Sequence, residues 1–189
     1  PNIMDSLDSK PLSIRKDQSD NWVNRPPYIF KFKLHLAQES EDTLTVINLH
    51  AKADIPNRYT SYAKRRKAAD ILYQFMTSEQ FRRNPSLALG DFNDDFDQSI
   101  YKNQTSPYFL FKLDESNFKQ LTHPFSAQTL PTTIFHNQPI DHIIANQEIA
   151  GWYHFQNLQR ISPIRRINQA AHKDTLSDHY LITLDLLRH

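Results

Sequence analysis

Apolar and polar residues alternate in some segments of the chain and follow a helical period in another. Residues 28–36 alternate, with Ile29, Phe32 and Leu34 among polar neighbours, which predicts a strand. Residues 43–50 are β-branched and apolar, and they predict a second strand that pairs with the first as a hairpin. Between residues 59 and 81 apolar side chains recur at helical spacing, which predicts the longest helix. Short apolar runs predict further strands at residues 87–89, 140–145 and 180–187.

Other segments carry weaker patterns. Residues 1–27 are polar and predict irregular structure, and residues 38–42 favour a turn. Residues 97–101 indicate a short helix, residues 108–113 a strand or a helix, and residues 114–138 a loop. Strands that alternate with a long helix indicate a layered α/β protein, although the pattern leaves the particular fold open. The length of 189 residues, without a linker or repeat, indicates one domain.

Composition excludes several kinds of chemistry. The 22 basic and 21 acidic residues nearly cancel, so the chain lacks the strongly basic balance typical of nucleic-acid-binding domains. That balance does not exclude nucleic acid as a partner, because charge can be segregated on one face. The absence of cysteine excludes disulfides, thiolate metal sites and cysteine nucleophiles. With glycine only at Gly90 and Gly151, glycine-rich phosphate loops are excluded as well. No apolar run reaches 18 residues, so no transmembrane segment is predicted.

A predicted strand ends at Gly90 and is followed by Asp91 and Asn93. An Asp at such a position can hold a hard cation or orient a water, and an Asn can ligate through its carbonyl or donate to phosphate. An ordinary turn is the alternative, because Gly, Asp and Asn all favour turns. The nearby acidic side chains are predicted to be solvated turn or helix-start residues: Asp94, Asp95 and Asp97.

Acidic and imidazole side chains also flank the later strands. Asp141 lies in an apolar strand, where a carboxylate is costly unless it is paired, and this predicts a contact between Asp141 and His179. Asp178 precedes His179 directly and supplies a possible metal ligand, with a polar loop as the alternative. His142 should point to the opposite face and be structural. His50 ends the second strand and is either another imidazole at the same rim or a core histidine.

Taken together, these motifs resemble the endonuclease/exonuclease/phosphatase superfamily, which includes deoxyribonucleases, abasic-site endonucleases, bacterial sphingomyelinases and inositol-polyphosphate phosphatases. The signatures stand at residues 90–93 (GDFN) and 177–179 (SDH), and the resemblance runs from Arg25 to the C-terminus. It implies a four-layer α/β sandwich of two packed mixed β-sheets flanked by helices. Residues 48–53 and 90–95 are similar to those of secreted or envelope-associated bacterial members, which implies that location, with the cytoplasm left open.

The resemblance implies a role for each matched polar residue. Asp91 would orient the attacking water or help to hold a metal, Asn93 would bind the scissile phosphate, and Asp178 would ligate the metal. The metal would be Mg²⁺ or Mn²⁺, with Ca²⁺ as a third candidate, since an oxygen-rich site without cysteine suits hard cations.

The resemblance also assigns the histidines. His179, supported by Asp141, would bind the phosphate and either stabilise its developing charge or act as an acid or base. His50 would be the candidate general acid for the leaving oxygen.

One departure from the superfamily concerns its first strands, which carry an Asn and a metal-binding Glu. The chain has no matching segment, and Glu39 and Glu41 lie in a predicted turn that does not suit the role. We therefore expect an incomplete domain without its N-terminal strands, which would pair with a complementary N-terminal fragment or with a second copy.

Three functions remain open at this point. The first is a metal-dependent endonuclease on DNA or RNA, in which the basic residues 64–67 contact the phosphate backbone or form a solvated helix face. The second is a phospholipid or inositol-phosphate phosphodiesterase or phosphatase, in which Trp152, Tyr153 and Phe155 form an exposed aromatic hairpin or pack in the core. The third is a truncated, non-catalytic fragment.

Overall fold

The strands form a large mixed sheet and a small antiparallel one. The computed structural model describes residues 4–13, 15–22, 24–35, 41–101, 103–161 and 177–188. The strands are β1 (Met4–Pro11), β2 (Tyr28–His35), β3 (Glu41–His50), β4 (Ser86–Asp91), β5 (Phe118–Gln120), β6 (Asp141–Asn146), β7 (Tyr153–Ile161) and β8 (Leu181–Arg188). The helices are α1 (Arg58–Thr77), α2 (Glu79–Arg82), α3 (Phe109–Leu113), α4 (His123–Ala127) and α5 (Gln147–Trp152), besides a 3₁₀ helix at Lys16–Trp22.

The large sheet has the order β1-β2-β3-β4-β6-β5, and β7 pairs with β8 in the second sheet. The neighbours β3 and β4 are parallel, and the other pairs are antiparallel. The resemblance implied a second sheet that is also mixed, but its two described strands run antiparallel. Helices and two sheets in layers confirm the predicted α/β class.

Both faces of the large sheet are covered, which explains why its central strands are almost continuously apolar. On one face Ile47, Ala88 and Ile144 pack with Leu72 of α1 in the main core. On the other face lies a second core, whose members come from the large sheet, from α5 and from the β7–β8 sheet: Leu44, Leu87, Ala145, Ile149, Phe155, Leu184 and Leu186. The two sheets therefore pack against each other, as a sandwich requires.

Local signals explain the bounds of α1. The side chain of Asn57 accepts a hydrogen bond from the backbone N–H of Thr60 at 3.1 Å, which caps the first turn. The buried face of the helix includes Ala68, Leu72 and Met76, at the spacing that predicted it.

Within the described ranges, no helix has the length and apolar character needed to cross a membrane.

Several sequence predictions of secondary structure are wrong. Residues 1–27 contain β1 and the 3₁₀ helix, and residues 114–138 contain β5 and α4. Residues 97–101 form bends instead of a helix. Residues 41 and 42 of the predicted turn belong to β3, whereas residues 38–40, Glu39 among them, lie outside the described residues. The polar strand β1 is exposed along its whole length and is held by pairing with β2, which a hydrophobic pattern does not reveal.

Candidate active site

Strand pairing places three polar side chains in one row at one end of the large sheet. His50 is opposite Asp91 in the parallel β3–β4 pair, and Asp91 is opposite Asp141 in the antiparallel β4–β6 pair. Residues in register on neighbouring strands share a face, so all three side chains belong to the same surface. His179 joins this surface through a short antiparallel bridge to Thr133.

The first strong contact of the site links Asp141 and His179, as the sequence predicted. Nδ1 of His179 lies 2.9 Å from both carboxylate oxygens of Asp141. The bond to Asp141 raises the pKa of His179 to about 9, against the opposing effect of burial. At neutral pH the imidazole is therefore a cation, and its Nε2 lies 4.0 Å from Oδ2 of Asp91.

The orientation of Asp141 is fixed by Thr132, a residue that was not among those predicted for the site. The Thr132 hydroxyl donates to Oδ2 of Asp141 at 2.7 Å. Its oxygen accepts the backbone N–H groups of Ile140 and Asp141, each at 3.0 Å. Thr132 is fully buried, so these bonds lock the carboxylate in place. Neither its spacing nor its neighbours distinguish this threonine in the sequence.

Gly90 and Asn93 shape the turn that presents Asp91. Gly90 has φ +133°, and a Cβ there would overlap the carbonyl oxygen of Leu49, so the close approach of β3 requires glycine. Asn93 also has a positive φ, +51°, which asparagine tolerates. The backbone N–H of Asn93 donates to Oδ1 of Asp91, and its side-chain amide donates to Oδ2, both at 2.8 Å.

The side chain of Asn93 is used fully in holding the turn. Its amide nitrogen also donates to the carbonyl of Ala51 at 3.1 Å, so both amide hydrogens are engaged. Asn93 thus holds Asp91, and the phosphate contact that the sequence predicted for it stays a prediction.

The surroundings of Asp91 disfavour the charged form of its carboxyl group. Burial and the neighbouring Asp141 raise its pKa to about 6, although the hydrogen bonds from Asn93 oppose the shift. A carboxylate with a pKa close to neutrality is suited to proton transfer, and it would also gain from a bound cation.

His50 contacts Asp91 from the other side. Its Nε2 lies 3.3 Å from Oδ2 of Asp91, and its Nδ1 lies 3.2 Å from Nη1 of Arg25. Burial, Arg25 and His179 lower the pKa of His50. The structure thus gathers His50 at the same rim as the other residues, and adds Arg25, for which the sequence indicated no role in the site.

The residues surround a cleft of about 420 Å³ whose lining includes His50, Asp91, Asn93, Asp178 and His179. His136, a further imidazole without a sequence signal, also lines it, and burial lowers its pKa. The described part of the chain contains no cluster of three acidic or imidazole groups that could hold a metal by itself. Mg²⁺, however, keeps several waters and commonly uses one or two carboxylates together with substrate phosphate. The oxygen donors Asp91 and Asp178 fit a site of that kind.

Two of the acidic residues predicted to be solvated are buried instead. Asp94 accepts Nε of Arg65 at 2.9 Å, and both side chains have no exposed surface. Asp95 is buried and accepts the hydroxyl of Ser126. Arg65 is buried, so neither alternative given for residues 64–67, phosphate contact or a solvated helix face, holds for it. Its neighbour Lys64 pairs with Asp20 at 2.8 Å.

The proposed aromatic hairpin is also absent from this structure. Tyr153 is buried and its hydroxyl lies 3.2 Å from the Asp42 carboxylate, and Phe155 packs against the second core. Trp152 alone of the three is exposed. The structural role predicted for His142 is confirmed, because the ring is buried between Thr122 and the carbonyl of Asp94.

The fold and the site define the class of protein as an α/β sandwich with an acid–imidazole array at the ends of its central strands. The chain belongs to the Endonuclease/Exonuclease/phosphatase family, whose sequence model matches residues 4–179. Members of this family are typically hydrolases that act on phosphoester bonds. The match begins upstream of Arg25, where the resemblance was first visible. No curated protein matches the sequence of this chain.

Solved structures share the fold at low sequence identity. An AP endonuclease from Archaeoglobus fulgidus superposes with a TM-score of 0.59 at 14% identity, covering 96% of this chain and 71% of its own. An endonuclease/exonuclease/phosphatase from Beutenbergia cavernae gives 0.58 at 12% identity, with 97% and 45% covered. The human Nocturnin catalytic domain gives 0.55 at 15%, with 97% and 60% covered. The chain thus spans about half of the length of the last two.

Proposed function

We propose that this chain carries catalytic residues of a divalent-metal-dependent phosphodiesterase that cleaves DNA or RNA as an endonuclease. The observation that carries the proposal is the array in which His179, paired with Asp141, has its Nε2 4.0 Å from Oδ2 of Asp91 in the cleft. A cationic donor opposite a carboxylate suits the hydrolysis of a phosphodiester, in which a water loses a proton while negative charge grows on phosphate oxygens.

Each side chain has a part in this proposal. The Nε2–H of His179 donates to a phosphate oxygen and stabilises its developing charge, because Asp141 keeps the ring protonated. Asp91 accepts the proton of the attacking water or contributes to the metal site, and Asn93 holds it in position. Asp178 completes the acidic side of the cleft.

A bound Mg²⁺ or Mn²⁺ would stabilise charge on the phosphate and the leaving oxygen, with Asp91 and Asp178 as its ligands from this chain. Burial makes the Asp91 anion costly, as its pKa of about 6 indicates, and a nearby cation offsets that cost. Calorimetry of Mg²⁺ and Mn²⁺ binding to the protein and to Asp178→Asn tests the metal without any substrate.

Nucleic acid is favoured over lipid by two features. The aromatic hairpin expected of a membrane-acting enzyme is not assembled, since Tyr153 is buried. Arg58 lines the cleft with an exposed guanidinium, and Arg66 and Lys67 are exposed further along α1. Such side chains suit contacts with a phosphate backbone.

Plasmid nicking in the presence of Mg²⁺ tests the function. We expect nicking that EDTA abolishes and that His179→Ala lowers by roughly 100-fold or more, the usual contribution of a positioned acid–base group. His154→Ala, a matched control at an exposed histidine of β7, should leave the rate unchanged. Nicking that survives both EDTA and His179→Ala would reject the proposal, whereas release of choline phosphate from sphingomyelin vesicles would favour the lipid alternative.

A further inference from the structure

The two imidazoles of the cleft are held by partners of opposite chemistry. His179 has the carboxylate of Asp141 at its Nδ1, whereas His50 has the guanidinium of Arg25 at its Nδ1, 3.2 Å from Nη1. The other nitrogen of His50, Nε2, lies 3.3 Å from Oδ2 of Asp91. His50 is thus held between a cation and an anion.

The chemistry of these partners determines where the proton of His50 lies. Arginine has only N–H donors and stays protonated, so Nδ1 of His50 must accept the hydrogen bond. A ring that accepts at Nδ1 carries its proton on Nε2, which here lies 3.3 Å from Oδ2 of Asp91. We infer that Arg25 is a positioning residue that fixes the Nε2–H tautomer of His50, so that the ring's proton faces Asp91 and the cleft.

The backbone around Arg25 is well anchored, which makes a positioning role reasonable for a side chain at the surface. The N–H of Arg25 donates to the carbonyl of Trp22 at 2.9 Å, and Trp22 is fully buried. Pro26 and Pro27 follow, with restricted φ, and the carbonyl of Pro27 accepts the N–H of Leu12 at 2.7 Å. The backbone that carries the Arg25 side chain is therefore held in place on both sides of this residue.

The consequence for the site is a fixed hydrogen-bond direction. If Nδ1 carried the proton instead, it would oppose the Arg25 donor, and Nε2 would turn a lone pair toward the Asp91 carboxylate. The hydrogen bond from Arg25 would then be lost. Arg25 acts in this way through His50, without any need to contact the substrate.

Nuclear magnetic resonance of protein labelled with ¹⁵N in histidine tests the inference directly. The two-bond and three-bond correlations of the ring distinguish the two tautomers, and His50→Gln assigns the signal. We expect the Nε2–H form alone for His50 in the wild type and a detectable fraction of the Nδ1–H form in Arg25→Met. Arg25 is exposed, so its replacement opens no core cavity. An unchanged tautomer in Arg25→Met would overturn the inference.

A kinetic cycle provides a second readout, and this arm alone rests on the proposed function. Arg25→Met should lower kcat/KM on a plasmid or on bis-p-nitrophenyl phosphate by roughly 10- to 100-fold, the usual effect of removing an orienting partner. In a His50→Ala background the same change should have almost no effect. Equal losses in both backgrounds would mean that Arg25 acts independently of His50, and would also overturn the inference.

Arg83→Met is the matched control, because Arg83 is an exposed arginine that pairs with Glu79 and does not line the cleft. Its rate and the His50 spectrum should equal those of the wild type. If no variant and no wild-type protein hydrolyses either substrate, the proposed function fails, but the tautomer measurement still decides the role of Arg25.

Discussion

Among the basic residues of α1, replacement of Arg65 by methionine should destabilise the protein most. Arg65 lies in a run of basic residues, yet its side chain has no exposed surface. Its Nε donates to Asp94 at 2.9 Å, and its Nη1 donates to the carbonyl of Lys52 at 3.1 Å. It therefore connects the segment after β3 to the loop after Asn93.

The expected loss can be worked out from this geometry. Two unit charges 2.9 Å apart attract by about 6 kcal/mol at an effective dielectric constant of about 20, before the cost of desolvation. Removing one partner of a buried pair typically costs about 3–5 kcal/mol, because the other charge is left without compensation. Asp94 keeps hydrogen bonds from Ser99 and Ile100, so we expect about 3 kcal/mol at pH 8. Since domains have only about 5–15 kcal/mol of stability, this is a large fraction.

The loss should depend on pH. Burial already raises the pKa of Asp94 to about 6 in the wild type, and without Arg65 it should rise further. A raised carboxyl pKa means that the folded state binds a proton more readily than the unfolded state, so lowering the pH through that pKa stabilises the fold. The free-energy difference between wild type and Arg65→Met should therefore be smaller at pH 5.5 than at pH 8.

Urea unfolding followed by tryptophan fluorescence measures these differences, with the buried Trp22 as a probe. Arg66→Met is the matched control, one position along and exposed, and should change the free energy of unfolding by less than about 0.5 kcal/mol. Arg65→Met/Asp94→Asn should recover about half of the loss, because the unpaired charge is gone. A loss below about 1 kcal/mol for Arg65→Met, or one equal to that of Arg66→Met, would refute this reasoning.

Three further predictions concern pH and backbone geometry. Burial lowers the pKa of His142 to about 3, so the contribution of the neutral ring to stability is complete above pH 6.5 and should be lost as the pH falls towards 3. In urea unfolding, the free energy of unfolding of His142→Gln should therefore fall less steeply with acid than that of the wild type, and an equal fall in both would contradict this. The activity of the wild type should decline at alkaline pH, near the His179 pKa of about 9. Because the bond to Asp141 raises that pKa, Asp141→Asn should move the alkaline limb of the kcat/KM profile to lower pH. An alkaline limb that does not move would contradict the role of His179 as the protonated donor. In thermal melts, Gly90→Ala should destabilise the protein by about 1–3 kcal/mol, because its φ is +133° and an added Cβ would overlap the Leu49 carbonyl oxygen of the neighbouring strand. Gly151→Ala is the control: nothing lies near its position on α5, so it should be neutral or slightly stabilising.

Much of the candidate site could be predicted from the sequence. Residues such as Asp141 stand out because a carboxylate in an apolar strand needs a partner, and His179 proves to be that partner. The turn at residues 90–93 was visible because glycine and asparagine allow backbone conformations that other residues avoid. Helix α1 and the central strands were predicted because each buries a regular pattern of apolar side chains.

Other features depended on neighbours that are distant along the chain. Strand β1 is polar and exposed, so only its pairing with β2 makes it a strand. In the sequence, Arg65 cannot be distinguished from its exposed basic neighbours. In the structure it is buried because it pairs with Asp94, 29 residues away. No local pattern indicates such a pairing, because a basic side chain on a helix is usually solvated.

The sequence alone thus determined which kinds of groups the protein offers, since composition excludes thiols and glycine-rich loops and leaves carboxylates, amides and imidazoles. The tertiary structure decided how these groups meet. The strand register sets His50, Asp91 and Asp141 in one row, and burial then shifts the pKa of Asp91 upward. Register and burial arise from contacts between strands far apart in the chain, and so no local reading of the sequence contains them.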